Sequence, residues 1–201
     1  MSITVAAIKL LLVGCTLAAD AFYLLSMLAA RRFFSGRERP GPSSKGEAEN
    51  LPPVSIMIPL HGADFKAYQN YALFCRQDYP HYQIVFGVRE PTDSSVPIVQ
   101  KLIADFPGRD IDLVICPEAI GTNLKVSNLQ NMYPRVKHDH IVIVDSDIRA
   151  GVDYLRRIVS EFSDGKVGLA TCLYRAAEAP GLAAELEAVG ITAEFAPGVL
   201  M

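Results

Sequence analysis

The chain has 201 residues, a net charge of −3 at neutral pH, 50% hydrophobic residues and a mean hydropathy of +0.22. This length allows one globular domain with a short appendage, and the slightly acidic balance without a long basic arm argues against nucleic acid as a partner. The four cysteines are far apart in the sequence and form no CxxC pair. Such spacing is typical of small buried side chains in a reducing compartment rather than of a disulfide framework or a zinc site.

The first part of the chain predicts a membrane anchor. Residues 3–30 are mostly apolar and long enough for one membrane-spanning helix, and a cluster of arginines follows them: Arg31, Arg32, Arg37 and Arg39. Because positive charge accumulates on the cytoplasmic side, we expect an anchor over residues 1–32 in the inner (cytoplasmic) membrane, with the rest of the chain facing the cytoplasm. A cleaved signal peptide is the alternative, but the length and the trailing charge favour an uncleaved anchor.

Two features accompany this anchor. Asp20 lies inside the apolar segment, where an acidic residue costs roughly 2.5–3.5 kcal/mol on insertion scales. It either contacts another helix or lies near the water-exposed face of a tilted helix.

Residues 33–52 are rich in Gly, Pro, Ser, Glu and Lys and have no apolar periodicity, which predicts an exposed linker. Residues 53–201 are then expected to form the folded domain.

Short apolar runs alternate with helical patterns along this domain. The strands are predicted at residues 54–58, 83–88, 111–116, 141–144 and 167–173. The helices are predicted at residues 65–77, 96–106, 152–162 and 180–195, with a further helical stretch ending near Tyr133. This alternation predicts an α/β fold with a mostly parallel sheet, right-handed crossovers and flanking helices.

The central motif is the strand at residues 141–144, followed at once by Asp145-Ser146-Asp147. Four β-branched apolar residues in a row are typical of a strand buried on both faces, and ligands of open α/β sheets bind outside the carboxyl ends of the strands. Two carboxylates at such a position favour Mg²⁺ or Mn²⁺ holding a nucleotide diphosphate. The alternative is that the aspartates cap the next helix.

Two other strand exits are expected to meet this motif at one edge of the sheet, at residues 59–64 and 89–93. Acidic residues gather in these exits, and clustered carboxylates repel one another unless a cation or hydrogen bonds compensate. A bound metal is one source of compensation. Arg89 and Arg149 are the other.

A second constellation lies between Gly121 and Leu129. The glycine permits an unusual backbone turn, and Lys125 and Asn128 are three residues apart, so that they share a helix face. A lysine there can meet a phosphate, and an asparagine can hydrogen-bond a ribose or a sugar. A solvated helix face after a glycine turn is the alternative.

Taken together, these motifs resemble the nucleotide-sugar glycosyltransferases of the GT-A fold. More closely, the chain resembles family 21, the ceramide glucosyltransferase family, and within it the bacterial relatives of hopanoid biosynthesis. The resemblance rests on PVSIMIPLHG at residues 53–62, QDYP at 77–80, GVREP at 87–91, the G-x-N-x-K-x-x-N-L pattern at 121–129 and DSDIR at 145–149.

The resemblance implies a role for each matching residue. The uracil pocket would be lined by Pro59, Leu60, His61 and Gly62. Glu90 stands where the family usually has an aspartate that holds the nucleoside, one methylene longer than the family residue. Asp145 and Asp147 would hold Mg²⁺ or Mn²⁺, Asp145 would also contact the diphosphate, and Lys125 and Asn128 would approach the donor from the other side.

The resemblance also implies the reaction: an inverting transfer of a sugar from a UDP-sugar to the hydroxyl of a membrane lipid. We expect UDP-N-acetylglucosamine and a hopanoid polyol, with UDP-glucose and ceramide as the alternative. The family's general base and its Gln/Arg-x-x-Arg-Trp motif would lie beyond Met201, since the chain has no tryptophan, so an N-terminal fragment is expected. A non-catalytic, membrane-tethered nucleotide-binding module remains a second alternative. A receiver-like α/β domain is disfavoured because its acidic pair comes early in the domain.

Overall fold

The computed structural model describes residues 3–35, 51–176 and 181–200. The chain divides into two compact units, one formed by Met1–Gly41 with Thr171–Met201 and the other by Pro42–Ala170. Most of the predicted linker, residues 36–50, lies outside the described residues.

The first unit begins with a long apolar helix, α1, over Ile3–Ser35. Its 33 residues correspond to a length of about 50 Å, and the segment Thr4–Ser35 has a mean hydropathy of 1.9 in its most apolar window, none of which is buried. Among the described residues, α1 is the one helix that is long and apolar enough to cross a membrane. The helix expected for the anchor is therefore present.

The second unit is an α/β domain whose elements follow the predicted order. They are β1 (Val54–Pro59), α2 (Ala67–Cys75), β2 (Tyr82–Val88), α3 (Val96–Asp105), β3 (Asp110–Ile115), α4 (Leu124–Met132) with a 3₁₀ turn (Tyr133–Arg135), β4 (His140–Ile143) and α5 (Tyr154–Ser160). Each lies within two residues of its predicted position.

The four strands form one parallel sheet in the order β3-β2-β1-β4. Central β1 pairs with β2 through residues such as Ile56 and Ile84, and with β4 through Ile56 and Val142. The chain passes from β1 to β2 and β3 on one side and then returns to β4 on the other. The boundary between β1 and β4 is thus the point at which the strand order reverses, where open α/β sheets bind their ligands.

Helices cover both faces of this sheet. The larger core lies under α2, α3 and α5, where Ile58, Phe86, Tyr71, Phe74 and Leu155 are almost completely buried. A smaller cluster lies under α4 on the opposite face and consists of Met57, Val85 and Met132. Successive residues of a strand point to opposite faces, which places Met57 on one side and its neighbours Ile56 and Ile58 on the other.

The structure corrects the expectation that β4 is buried on both faces. Val142 and Val144 are buried, but Ile141 is 38% exposed and Ile143 56% exposed. In the described part of the chain β4 is an edge strand, while α4 packs over β1 and β2. A continuous run of apolar residues therefore predicts a strand here, but it does not show that both faces of the strand are buried.

The strand predicted at residues 167–173 is also wrong. These residues have no regular secondary structure, and the side chain of Leu169 is 85% exposed. A strand needs a neighbouring ladder as well as apolar, β-branched residues, and this segment pairs with none of the four described strands.

The first unit is completed by α6 (Leu182–Gly190), a π-helical turn (Ile191–Phe195) and α7 (Ala196–Leu200). These elements correspond to the helix predicted at residues 180–195, although Pro180 lies outside the described residues. The ring of Phe195 packs against that of Tyr174, with centroids 4.1 Å apart. The last helix, α7, packs against α1.

Candidate functional site

The three strand exits expected to converge do meet at the carboxyl edge of the sheet. The backbone N–H of Gly62, after β1, donates a 2.9 Å hydrogen bond to the carboxylate of Asp93, after β2. The hydroxyl of Ser146, after β4, donates to the carboxylate of Asp64. One contact therefore joins the exits of β1 and β2, and the other spans the switch point between β1 and β4.

Asp93 organises the β2 side of the edge. One of its oxygens accepts from Gly62, and the other accepts from the backbone N–H of Ser95 at 2.8 Å and from the Ser95 hydroxyl at 2.6 Å. Gly62 has a φ of 75°, which a side chain would strain. Burial raises the pKa of Asp93, but the hydrogen bonds from Ser95 and Gly62 outweigh it, and the net shift is downward. The sequence offered a signal for this role, since an aspartate two residues before a serine at a helix start is typical of a capping turn.

Beneath this edge lies Tyr71, a fully buried residue of α2. Burial, followed by the charges of Asp64 and Asp93, raises the pKa of Tyr71 to about 12. The tyrosine is neutral at physiological pH, and its hydroxyl is buried with no hydrogen-bond partner among the described residues.

The loop before α4 is held by two residues to which sequence reasoning gave no role. The side-chain oxygen of Asn123 accepts from the backbone N–H groups of Lys125 and Val126, both at 3.1 Å, so Asn123 caps the helix. The hydroxyl of Ser127 accepts from the N–H groups of Ile120 and Gly121, both at 3.2 Å. The asparagine before a helical pattern was a readable capping signal, whereas the reach of Ser127 depends on how the loop folds back.

Lys125 crosses from α4 to the β4 exit and forms an ion pair with Asp145. The two side chains are 52% and 55% exposed. Ion pairs of such exposure contribute about 0–1 kcal/mol, so an incoming phosphate or cation can replace either partner at little cost. Arg89 instead donates to the carbonyl of Pro117 at 3.2 Å, and the cation paired with Asp145 is the lysine.

Asp145 and Asp147 both present exposed carboxylates. The alternative that they cap the next helix is wrong, because α5 begins at Tyr154 and the residue before it is Asp153. Among the described residues, no cluster of three or more His, Cys, Asp or Glu side chains forms a preformed metal cage. Two carboxylates fit Mg²⁺ or Mn²⁺ when substrate phosphates and water complete the shell.

Asn128 is placed differently from Lys125. It is 4% exposed, and its amide donates to the carbonyl of Gly87 at 2.8 Å and to that of Leu60 at 3.5 Å. The alternative of a helix face that is fully open to solvent is therefore wrong, because Lys125 is exposed but Asn128 is buried. Asn128 holds the last residues of β1 and β2 in place from above, and its own side-chain oxygen is buried with no hydrogen-bond partner among the described residues.

Gly87 makes this close approach possible. A Cβ at this position would lie 2.3 Å from the sulfur of Met132 and 2.6 Å from the side-chain oxygen of Asn128. Since real Cβ atoms do not approach other atoms so closely, α4 can sit at this depth on β2 only over a glycine.

The remaining predicted residues divide by exposure. Pro59 and Leu60 are buried, with Leu60 in the main core, whereas His61 is exposed and Gly62 is half-buried. Glu90 is exposed at the β2 exit. A ligand approaching from solvent can therefore reach His61, the backbone near Gly62 and the Glu90 carboxylate.

The paired carboxylates lie at the switch point of a parallel sheet, which is where open α/β sheets bind their ligands. The fold is similar to that of a mannosyltransferase from Pyrobaculum calidifontis, solved in complex with GDP-Man and Mn²⁺, with a TM-score of 0.62 and 21% identity over 82% of this chain and 46% of the other. The predicted GT-A-type fold is thereby confirmed.

The sequence profile described as glycosyl transferase family 21 matches residues 11–201, and the chain belongs to that family. A ceramide glucosyltransferase of Gibberella zeae is 30% identical over 153 residues, which cover 71% of this chain and 29% of the relative. A ceramide glucosyltransferase of Candida albicans is 33% identical over 119 residues, covering 53% and 22%. The chain thus spans about a quarter of the length of the curated relatives it matches.

Proposed function

We propose that this chain supplies the donor-binding part of a membrane-anchored, inverting glycosyltransferase that moves a sugar from a UDP-sugar to the hydroxyl of a membrane lipid. The observation that carries the proposal is the carboxylate pair Asp145 and Asp147 at the switch point, where Lys125 forms an ion pair with Asp145. Membership of family 21 and the ceramide glucosyltransferase relatives support the reaction class. The GDP-Man and Mn²⁺ bound by the structural neighbour support a nucleotide and a divalent metal.

The two sides of the site would hold different parts of the donor. On the β1 and β2 side, His61, the backbone at Gly62 and Glu90 would hold the nucleoside, while the buried Pro59, Leu60 and Asn128 fix the backbone of this wall. The role of Pro59, Leu60 and Asn128 is therefore indirect, because these three predicted residues are buried and do not reach solvent.

On the β4 side, Asp145 and Asp147 would hold Mg²⁺ or Mn²⁺, which would neutralise charge developing on the departing diphosphate. Lys125 would then leave Asp145 and meet a phosphate oxygen as a point charge. The acceptor hydroxyl needs a general base, which we propose lies beyond Met201.

A single residue, Glu90, bears on the choice of substrates. We propose UDP-N-acetylglucosamine and a hopanoid polyol, because Glu90 departs from the family's usual aspartate as in the bacterial branch. The names of the curated relatives favour the alternative, UDP-glucose with ceramide. Calorimetric titration of the chain with UDP-N-acetylglucosamine and with UDP-glucose, both with Mn²⁺, separates the two donors.

The placement in the cell belongs to the same proposal. Residues 1–32 would form the anchor, 33–52 the linker and 53–201 the catalytic domain, on the cytoplasmic side of the inner membrane. The last part of that proposed domain, residues 171–201, belongs to the same compact unit as α1. The support is α1, with its apolar length and the arginines that follow it.

The test is calorimetric titration of UDP into the detergent-solubilised chain, with and without Mn²⁺. We expect binding that requires the metal, and a loss of at least tenfold in affinity in Asp147→Asn. The matched control is Asp110→Asn, which removes an exposed carboxylate at the amino end of β3. Binding that is equal in both variants would contradict the metal site. If UDP does not bind under any condition, the titration is repeated on a chain extended beyond Met201: binding there would mean that the added part is required to form the donor site, and continued failure would contradict the proposal and favour a non-catalytic scaffold.

A further inference from the structure

In the proposed metal site, Asp145 is paired with a cation of the protein itself. The ammonium of Lys125 forms an ion pair with its carboxylate. Asp147, two residues further on, is exposed and forms no ion pair in the part of the chain that the structure describes. A divalent cation that uses both carboxylates therefore has to displace the lysine from the first.

Lys125 is placed so that its ammonium can change partners while its backbone stays fixed. The side-chain oxygen of Asn123 accepts a hydrogen bond from the backbone N–H of Lys125 and caps α4 there. The lysine side chain is a flexible four-carbon stem, and it is 52% exposed. The ammonium can therefore move from Asp145 to another anion without any rearrangement of the helix.

Few protein ligands remain for a free metal ion while the lysine holds Asp145. The described residues contain no group of three or more His, Cys, Asp or Glu side chains that could hold a metal, and Mg²⁺ is usually held by one or two carboxylates together with substrate phosphates. A free ion would find one unpaired carboxylate, that of Asp147, and would come next to the like charge of Lys125.

A diphosphate removes both obstacles. Its oxygens complete the shell of the metal, and they offer Lys125 an anion that carries more charge than a single carboxylate. Asp145 is then released for the metal, and the lysine stabilises the diphosphate from α4. The same side chain thus weakens the binding of the free ion and strengthens the binding of the ion together with a diphosphate.

We infer that Lys125 is a stand-in cation, which holds Asp145 until a nucleoside diphosphate draws its ammonium away, so that the site takes up the metal and the diphosphate together. The inference rests on the proposed donor site and adds how its two ligands depend on each other. Because coupling between two binding equilibria is reciprocal, Lys125 raises the factor by which the metal strengthens UDP binding as much as the factor by which UDP strengthens metal binding.

The expected size of the effect follows from the exposure of the pair. Lys125 and Asp145 are 52% and 55% exposed, and ion pairs of such exposure weaken a competing ligand by about fivefold at most. Bonds between the metal and the diphosphate couple the two ligands as well, and they do not depend on the lysine. The contribution of Lys125 is therefore measured as the difference between the wild type and a variant that lacks its charge.

The first measurement is the affinity of the full chain in detergent for Mn²⁺ alone, from the electron paramagnetic resonance signal of the unbound aqueous ion. The variants are Lys125→Met, which removes the charge, and Lys125→Arg, which keeps it. Arg149→Met is the matched control, because it removes an exposed cation two residues after Asp147 and leaves the pair of Lys125 with Asp145 in place. The second measurement is the affinity for UDP, from calorimetric titration with and without Mn²⁺.

We expect Lys125→Met to bind Mn²⁺ alone about three- to fivefold more tightly than the wild type, with changes of less than about twofold in Lys125→Arg and Arg149→Met. The factor by which Mn²⁺ strengthens UDP binding should fall by about three- to fivefold in Lys125→Met. Replacing a residue that merely supported the fold would weaken the binding of both ligands. A gain for the free metal with a loss for UDP is therefore specific to a stand-in cation.

An affinity for Mn²⁺ alone that is unchanged or lower in Lys125→Met would overturn the inference. An equal gain in Arg149→Met, which would show a general effect of charge, would overturn it too, as would a failure of every variant to bind Mn²⁺ alone. UDP binding that requires Mn²⁺, without a gain in Lys125→Met, would contradict only the role of the lysine. A gain in Mn²⁺ affinity without any UDP binding would instead contradict the donor site and support the hold of Lys125 on the metal carboxylate.

Discussion

The two sides of the candidate site are built in different ways. On the β1 and β2 side, Asn128 is buried, and Asp93 accepts three hydrogen bonds, of which the one from Gly62 joins the two strand exits. On the β4 side, Lys125 and Asp145 form an ion pair that is about half exposed, on an edge strand whose outer residues are open to solvent. We call the β1 and β2 side the fixed wall, because its contacts are in place before any ligand arrives. We call the β4 side the replaceable wall, because a ligand can replace its contacts.

This difference matches the chemistry of a nucleotide-sugar donor. A nucleoside is a rigid group that a preformed wall can recognise at little cost in ordering. A diphosphate with its metal brings its own charges and rearranges the side chains that meet it. Variants that disturb the fixed wall should therefore lower stability, and variants of the replaceable wall should change ligand binding while stability is retained.

The largest effect is expected from Gly87→Ala, which breaks the fixed wall. The new Cβ would lie 2.3 Å from the Met132 sulfur, so α4 has to move or the variant must lose packing. Overpacking of this kind costs about 1–3 kcal/mol. The measurement is the free energy of unfolding of the full chain in detergent, from urea denaturation. Gly108→Ala is the matched control, since a Cβ there meets nothing within 4 Å, and equal losses in the two variants would contradict the account of α4 packing.

A smaller, pH-dependent effect is expected from Asp93→Asn. This change removes the charge that accepts hydrogen bonds from Gly62 and Ser95. Because the side-chain oxygen of asparagine still accepts a hydrogen bond, the expected loss of stability is about 1 kcal/mol. Because the pKa of Asp93 is lowered from 3.8 in the folded protein, its stabilising contribution is present above pH 4 and is lost as the pH falls through the folded-state pKa.

The check is the difference in unfolding temperature between wild type and Asp93→Asn from pH 7 to pH 2.5. The difference should be largest at neutral pH and should shrink below pH 4. Asp139→Asn, an exposed carboxylate before β4, serves as the control and should show no such dependence. A difference that stays constant across this range would mean that the Asp93 charge does not stabilise the fold.

The elements that the sequence predicted well are those whose structure is determined by residues close to them in the chain. The apolar runs of β1 and β2 and the turn residues after them mark strands regardless of what packs on them, and their exits meet as the order of parallel strands requires. The capping role of Asn123 was equally local and was readable from its place before the α4 pattern.

What could not be predicted depends on neighbours distant in the chain. The one-sided burial of β4 depends on where α4 crosses the sheet, and the failure of residues 167–173 to form a strand depends on a missing partner ladder. The spacing of Lys125 and Asn128 could not show that one is exposed and the other buried, since the rotation of a helix about its axis is set by packing. The close contact over Gly87 has the same origin.

The smallest effect on stability, and the sharpest test of the comparison, is expected from Lys125→Met on the replaceable wall. The variant removes an exposed ion pair, so the free energy of unfolding should change by less than about 1 kcal/mol. Affinity for UDP in the presence of Mn²⁺ should nevertheless fall by about tenfold, corresponding to roughly 1.4 kcal/mol, because the phosphate loses its point-charge partner. Lys101→Met, which breaks a similarly exposed pair with Asp105 on α3, should leave both quantities unchanged. A large loss of stability without loss of UDP binding would reverse the assignment of the two walls, since it would place Lys125 among the fixed contacts.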